Sequence, residues 1–256
     1  REAYREQAVG RFRESSGAFI RDVTQRGPTL GDYPLATTIK IELAYYQCRP
    51  FRLAWILAAA SFALVSGGLF TRQAVWDRLA LVALLGAFVA LCIGFGWRVA
   101  ISGHAPVTNM YESVIYVGFG VSLIGLVYQW KGPQKLVLAA TSAIATAVLL
   151  LADSCPMTLD PSFRPLPPAL RSNLWLVVHV LCVTFSYSAF FMSLGIGNIA
   201  LGYFVVGARD EKAIAKLSRL NYRCLQLGVL FLTVGTFTGA LWADYSWGRF
   251  WGWDPK

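Results

Sequence analysis

With only two histidines in 256 residues, His104 and His179 are the leading candidates for metal ligation or proton transfer. His179 closes the run Asn173-Leu-Trp-Leu-Val-Val-His, about two turns into a long apolar stretch and roughly 9 Å below its start at 1.5 Å per residue. Trp175 lies four residues before it, and Cys182 and Ser186 three and seven after, so its helical face is aromatic and weakly polar. That depth suits a ligand reached from the nearer membrane surface, although a histidine inside a span also serves simply to hydrogen-bond a neighbouring helix. His104 sits in Ser102-Gly-His-Ala-Pro-Val-Thr-Asn-Met-Tyr-Glu112, where Asn109 and Glu112 read as an N-cap pair opening a helix. His104 then belongs to the preceding loop, and Glu112 reads as a capping group.

The second candidate is aromatic. Residues 241–256 hold Trp242, Trp247, Trp251 and Trp253, four of the chain's nine tryptophans, directly after an apolar run of helix length. Tryptophans anchor helices at membrane interfaces, but this spacing allows more. A helix over 247–254 would put Trp247, Trp251 and Asp254 on one face, with Gly248 and Gly252 beside them to admit a flat ligand. Asp254-Pro255 reads as the N-cap and first residue of a new helix. Since the sequence begins with Arg1 rather than methionine and stops at Lys256, the expectation is an internal piece of a longer protein.

These groups must be carried by membrane helices. Hydrophobic residues make up 56% and charged residues 14%, with a mean hydropathy of +0.51, against about a quarter charged in soluble domains. The fold expected is all-α and polytopic, with about six spans near 51–70, 79–100, 113–130, 136–152, 174–206 and 224–242. The fifth is overlong, so one end should project. Placing loops 71–78, 131–135 and 207–223 inside gives nine cations: Arg72, Arg78, Lys131, Lys135, Arg209, Lys212, Lys216, Arg219 and Arg223. The opposite loops hold five, Arg98, Arg164, Arg171, Arg249 and Lys256, balanced by acids within each loop. The bias makes the first group cytoplasmic and leaves the tryptophan end and the N-terminal segment outside. The net charge of +9 is accounted for mostly by this topology, so no nucleic-acid partner is expected.

Residues 1–49 read as a separate extracytoplasmic amphipathic segment or the tail of a preceding domain, with 50–256 as the membrane domain. Tyr4, Ala8, Phe12, Phe19 and Val23 form one stripe, which Gly27-Pro28 and Gly31-Asp32-Tyr33-Pro34 should break. Cys48, Cys92, Cys155, Cys182 and Cys224 form no Cys-x-x-Cys pair and no Cys-x-x-Cys-His, so covalent haem attachment to this chain and thioredoxin-type chemistry have no visible site.

Trp247-Gly-x-x-Trp251-x-Trp253-Asp254-Pro255-Lys256 resembles the WWD signature of haem-handling cytochrome c biogenesis proteins, the group containing CcsA (ResC), CcmC and CcmF. The loop Gly103-His-x-Pro-x-x-Asn-x-Tyr-Glu-Ser113, the helix Trp175-Leu-x-x-His179-Val and Gly239-Ala-x-Trp242-Ala narrow the resemblance to CcsA of System II. The opening Glu42-Leu-x-Tyr-Tyr-x-x-x-Arg49-Pro-Phe-Arg is similar to the junction of fused CcsB-CcsA proteins. The resemblance runs from about residue 40 to the end.

The resemblance implies a bacterial inner-membrane protein that moves haem b, as cargo, to an external site and delivers it to the Cys-x-x-Cys-His motif of apocytochrome c. It implies His179 as an axial iron ligand and Trp242, Trp247, Trp251, Trp253 and Asp254 as the haem-binding segment, with Gly248 and Gly252 beside them. His104, on the same side, could supply a second ligand, because the family's second external ligand follows a further span that lies beyond Lys256. A CcsB/ResB-like protein or fused domain and a thioredoxin-like thiol reductant are implied as partners. Whether thioether formation makes the chain an enzyme is left open, and the reading is of a haem-delivering synthetase subunit. The alternatives are a haem-free transporter or channel subunit using His104, Glu112 and His179 as a polar path, and a structural anchor with the tryptophans as a belt.

Overall fold

A computed structural model describes residues 9–30, 34–71, 73–132, 134–163, 174–206 and 211–252. Of the residues singled out above, Tyr4, Ala8, Gly31, Asp32, Tyr33, Arg72, Arg164, Arg171, Asn173, Arg209 and those from Trp253 to Lys256, with the helix start expected at Asp254-Pro255, lie outside these ranges. All regular structure among the described residues is helical. The helices are α1 (Val9–Leu30), α2 (Ala36–Cys48), α3 (Pro50–Thr71), α4 (Ala74–Ser102), α5 (Met110–Trp130), α6 (Lys135–Ser154), α7 (Leu174–Val205) and α8 (Glu211–Trp247). Six helical stretches are long and apolar enough to cross a membrane, the first running over α2 and α3 together and the others being α4 to α8.

The chain divides into two compact units, Arg1–Leu43 and Ala44–Lys256. In the first, α1 runs unbroken past Gly27-Pro28 to Leu30, contrary to the break expected there. Pro28 falls in the last turn, where it removes only the closing N–H bond to the Thr24 carbonyl and has few helical residues after it to displace, and Thr29 Oγ1 donates to the Arg26 carbonyl at 2.7 Å.

In the second unit α5 and α6 form the centre. Helix α6 touches α3, α4, α5 and α7, and α7 packs along most of α8. Small side chains set the close approaches. On α3, Ala54, Ala58, Ser61, Val65 and Gly68 recur at helical spacing and are buried. Ser61 Oγ joins three helices, donating to the Ala80 carbonyl of α4 while lying 2.8 Å from Ser142 Oγ of α6. Outward-facing positions are apolar instead, as at Phe70, Val82 and Phe237, which suits a lipid surrounding.

Successive spans alternate in direction. The starts of α3, α5 and α7 therefore share one end of the bundle with the finishes of α4, α6 and α8. The bidentate Arg52–Asp153 pair at 3.0 and 3.2 Å joins the start of α3 to the finish of α6 at this end. Both histidines and the described tryptophans of the C-terminal segment lie here.

Two boundaries differ from expectation. Helix α8 begins thirteen residues earlier than position 224, because its first turns, though charged, bury Leu217, Leu220 and Cys224 on one side. At 37 residues it, rather than α7, is the longest helix. It also ends at Trp247. Gly248 takes a left-handed φ of 69° and its N–H bonds the Asp244 carbonyl at 2.8 Å, which is a helix C-terminal stop.

Candidate functional site

The His179 ring is fixed by backbone. Its Nδ1 lies 2.7 Å from the carbonyl oxygen of Gly235 on α8, so the contact is a hydrogen bond with Nδ1–H donating and Nε2 left as a bare lone pair. The ring lies close against Gly239, where an added Cβ would sit 2.6 Å from Nδ1 and 2.8 Å from Cε1. Gly228, Gly235 and Gly239 recur within about 20° of one line on the helix surface. They receive Phe190, Cys182 with Val183, and His179 in turn. Among the described residues, then, α7 and α8 approach at glycines, and the histidine is held by atoms that cannot rotate away.

One turn past Gly239, Trp242 is half-buried and packs edge-to-face against Trp247, with ring centroids 4.8 Å apart. Its indole Nε1 is buried and has no hydrogen-bond partner among the described residues. Trp175, Trp247 and Trp251 are 42%, 60% and 55% exposed. Because α8 stops at Trp247, Trp251 does not share a helical face with it, and the single face expected over 247–254 is not formed across 248–252. The glycines also have other reasons than close approach. Gly248 serves the helix stop, and a Cβ on Gly252 would meet only the flexible Arg249 guanidinium at 3.4 Å.

His104 is in the loop before α5, as its sequence context indicates. Its Nδ1 is 3.2 Å from the Ala105 carbonyl, and its own carbonyl accepts from Ser102 Oγ at 3.4 Å. No described contact joins it to His179.

A second cluster at this end is missed by sequence reasoning. Arg98, counted above as a loop cation, lies inside α4 and is 1% exposed; Glu112, read as a cap, is 2% exposed. Arg98 Nε and Nη2 donate to Glu112 Oε1 at 2.9 and 2.8 Å, and Nη1 donates to Tyr45 Oη and to the Pro161 carbonyl, both at 3.0 Å. The guanidinium carbon is 4.4 Å from the Phe163 ring centroid. Glu112 Oε2 accepts from the Thr108 N–H and hydroxyl, both at 2.8 Å, while Asn109 Oδ1 caps α5 by accepting from Glu112 N. One ion pair thus ties down α4, α5, the His104 loop and the loop at Pro161. The available signal was a lone arginine inside an apolar run with a lone glutamate at the next helix start. Beside it opens a pocket of about 330 Å³ lined by Tyr45, Arg49, Phe51, Tyr111, Asp153 and Pro161.

Among the described residues no three metal-ligating side chains cluster. The site offers one oriented Nε2, indole faces and a buried N–H donor.

Comparison with known proteins places these features in a family. Residues 107–256 match the family described as "Cytochrome C assembly protein". The chain is 33% identical over 210 residues to the cytochrome c biogenesis protein CcsA of Synechococcus sp. strain RCC307, covering 70% of this chain and 67% of that one. It is 32% identical over 248 residues to CcsA of Synechococcus sp. strain CC9605, covering 81% and 79%. It is also 34% identical over 175 residues to Protein NrfI of Wolinella succinogenes, covering 66% of this chain but only 19% of NrfI. The chain belongs to the cytochrome c assembly protein family and is of the CcsA type, a multi-pass membrane protein of cytochrome c biogenesis.

Proposed function

We propose that this chain receives haem b as cargo at the tryptophan end and presents it to the Cys-x-x-Cys-His motif of apocytochrome c. The observation that carries the reading is the 2.7 Å bond from His179 Nδ1 to the Gly235 carbonyl. Iron-binding histidines characteristically donate their second ring nitrogen to a fixed acceptor, which sets the tautomer and raises the basicity of the free nitrogen. His179 is already in that state. The donor set around it also suits haem: Trp242 and Trp247 offer indole surface to the macrocycle, and the unpartnered Trp242 N–H is a matched donor for a propionate.

When bound, haem supplies the vinyl groups across which each cysteine S–H adds to form a thioether. No electrons are gained or lost in that addition, so the chain's own contribution is placement: His179 fixes the iron, the indoles fix the plane, and the exposed edge stays open. Trp251, Gly248 and Gly252 extend the same surface, and the family resemblance adds Trp253 and Asp254 to the haem-binding segment. His104 is the candidate for a second ligand from the described residues. The cation bias supports an orientation with this end outside the membrane, and the family resemblance implies a bacterial inner membrane, with a CcsB/ResB-like protein or fused domain and a thioredoxin-like reductant completing the assembly.

The test is the visible spectrum of the chain purified in detergent from haem-replete cells, beside His179→Gly with and without imidazole. The expected result is a Soret band that falls in His179→Gly and returns with imidazole. A band of equal intensity and position in both proteins would overturn the ligand assignment. No haem in either this chain or a version carrying the further C-terminal segment would favour the haem-free transporter.

A further inference from the structure

At the end of the bundle opposite the tryptophans, five cations gather around a single described carboxylate. Lys131 from the α5–α6 turn and Lys212, Lys216, Arg219 and Arg223 from α8 line one cleft of about 820 Å³, within the size range of small-molecule sites. Glu211 is the one acid among the described lining residues, so five cations less one carboxylate leave an excess of four. None of the five forms an ion pair among the described residues, and Arg219 reaches only the Ala215 carbonyl of its own helix. The contrast is Lys135, at the same end, which is paired with Asp77 at 2.7 Å.

The arrangement is built. Spacings of four, three and four residues put Lys212, Lys216, Arg219 and Arg223 on one face of α8, where like charges repel. The facing turn is locked by Gln129, whose Nε2 donates to the Gln134 carbonyl at 2.9 Å and whose Oε1 accepts from Gln134 N at 3.0 Å. Lys131 is held within that lock. Its neighbour Trp130 is 91% exposed and Tyr222 of α8 is 62% exposed, aromatic residues of the kind found at headgroup depth. Below them α8 continues into the apolar span with Leu230 and Val234 exposed, seven and eleven residues after Arg223 and so on the same face as the cations.

We propose that this cleft binds the phosphate headgroup of an anionic phospholipid, with the acyl chains lying along Leu230 and Val234 of α8. An excess of four positive charges suits a headgroup with two phosphates, as in cardiolipin, better than one with a single phosphate. The apolar track leading from the cleft distinguishes a lipid from a soluble anion, which would use the cations alone.

The test uses the full chain in detergent, stripped of lipid and titrated separately with cardiolipin, phosphatidylethanolamine and inorganic phosphate. Bound lipid is counted by native mass spectrometry and stability is followed by tryptophan fluorescence on heating. Cardiolipin should bind and stabilise the wild type and Arg78→Gln, an exposed cation at the same end that does not line the cleft. Binding should weaken about 25-fold in Arg219→Gln/Arg223→Gln, at about five-fold per charge, and should largely survive in Arg219→Lys/Arg223→Lys. Both positions are exposed, so the unliganded variants should melt as the wild type does. Equal binding of phosphatidylethanolamine, equal stabilisation by inorganic phosphate, or an unchanged Arg219→Gln/Arg223→Gln variant would each overturn the proposal. None of these readouts involves haem.

Discussion

Gly239→Ala tests whether the α7–α8 contact, rather than the histidine alone, makes the site. The added Cβ would stand 2.6 Å from His179 Nδ1, 2.8 Å from Cε1 and 3.2 Å from Cγ, so the ring must swing or the helices must part. Overpacking of this kind costs about 1–3 kcal/mol, against about 0.5–1 kcal/mol that alanine returns through helix propensity. Taken at the middle of both ranges the net loss is about 1 kcal/mol, which corresponds to a melting temperature lower by about 2–4 °C for a chain of this size. Either movement also breaks the bond to Gly235, and loss of such an outer partner lowers metal affinity by about 10–100-fold. The assay is haem retention by Soret absorbance and melting by tryptophan fluorescence. The control is Gly96→Ala, where an added Cβ meets nothing within 4 Å. Gly239→Ala should lose haem and melt lower, and Gly96→Ala should do neither. Indistinguishable behaviour of the two variants would refute the idea that backbone contact sets the ring.

Three other perturbations have defined outcomes. Glu112→Gln leaves the Arg98 guanidinium buried without its carboxylate and should cost about 3–5 kcal/mol in thermal or denaturant unfolding, whereas Arg98→Met/Glu112→Met should recover most of it. If the double variant is no better than the single, the pair is not what the loss reports. Gly248→Ala forces a side chain into φ 69° at a cost of about 1–2 kcal/mol, and faster proteolysis after Asp244 should show the frayed end, with Gly248→Asn close to wild type. Trp251→Tyr keeps an interface-seeking aromatic, so an anchor would tolerate it, while a haem platform should lose Soret intensity.

How much was legible in the sequence follows the range of each interaction. The spans were readable because twenty apolar residues in a row have few other solutions, and the α5 cap was readable because Asn109 and Glu112 are three residues apart. The start of α8 was hidden because Lys212, Lys216, Arg219 and Arg223 lower the local hydropathy, even though Leu217, Leu220 and Cys224 keep a helical stripe. Arg98 and Glu112 were read separately, as a loop charge and a cap, since the linear pattern marks each as a rare charge beside an apolar run but does not join two residues fourteen apart into one buried pair. His179 stood out by rarity, but its orienting acceptor is a backbone carbonyl 56 residues away, on a glycine that looks like many others. The tryptophan segment was recognisable by composition, whereas its shape depended on where the helix stopped. Gly248 supplied that stop.

Helix α8 carries its two ends in a fixed angular phase. At 1.5 Å per residue its 37 residues measure about 55 Å, nearly twice a hydrocarbon core of about 30 Å, so one continuous rod reaches past both surfaces. Each residue advances the helix by about 100°, and a single insertion between Gly228 and Gly235 would turn Gly235, Gly239 and Trp242 that far from the line set by Gly228. The bare backbone would no longer face His179, while Arg219 and Arg223 would stay where they are. Point substitutions can change either end alone, but length cannot, and the number of residues in this helix is therefore as much a part of the site as their identity.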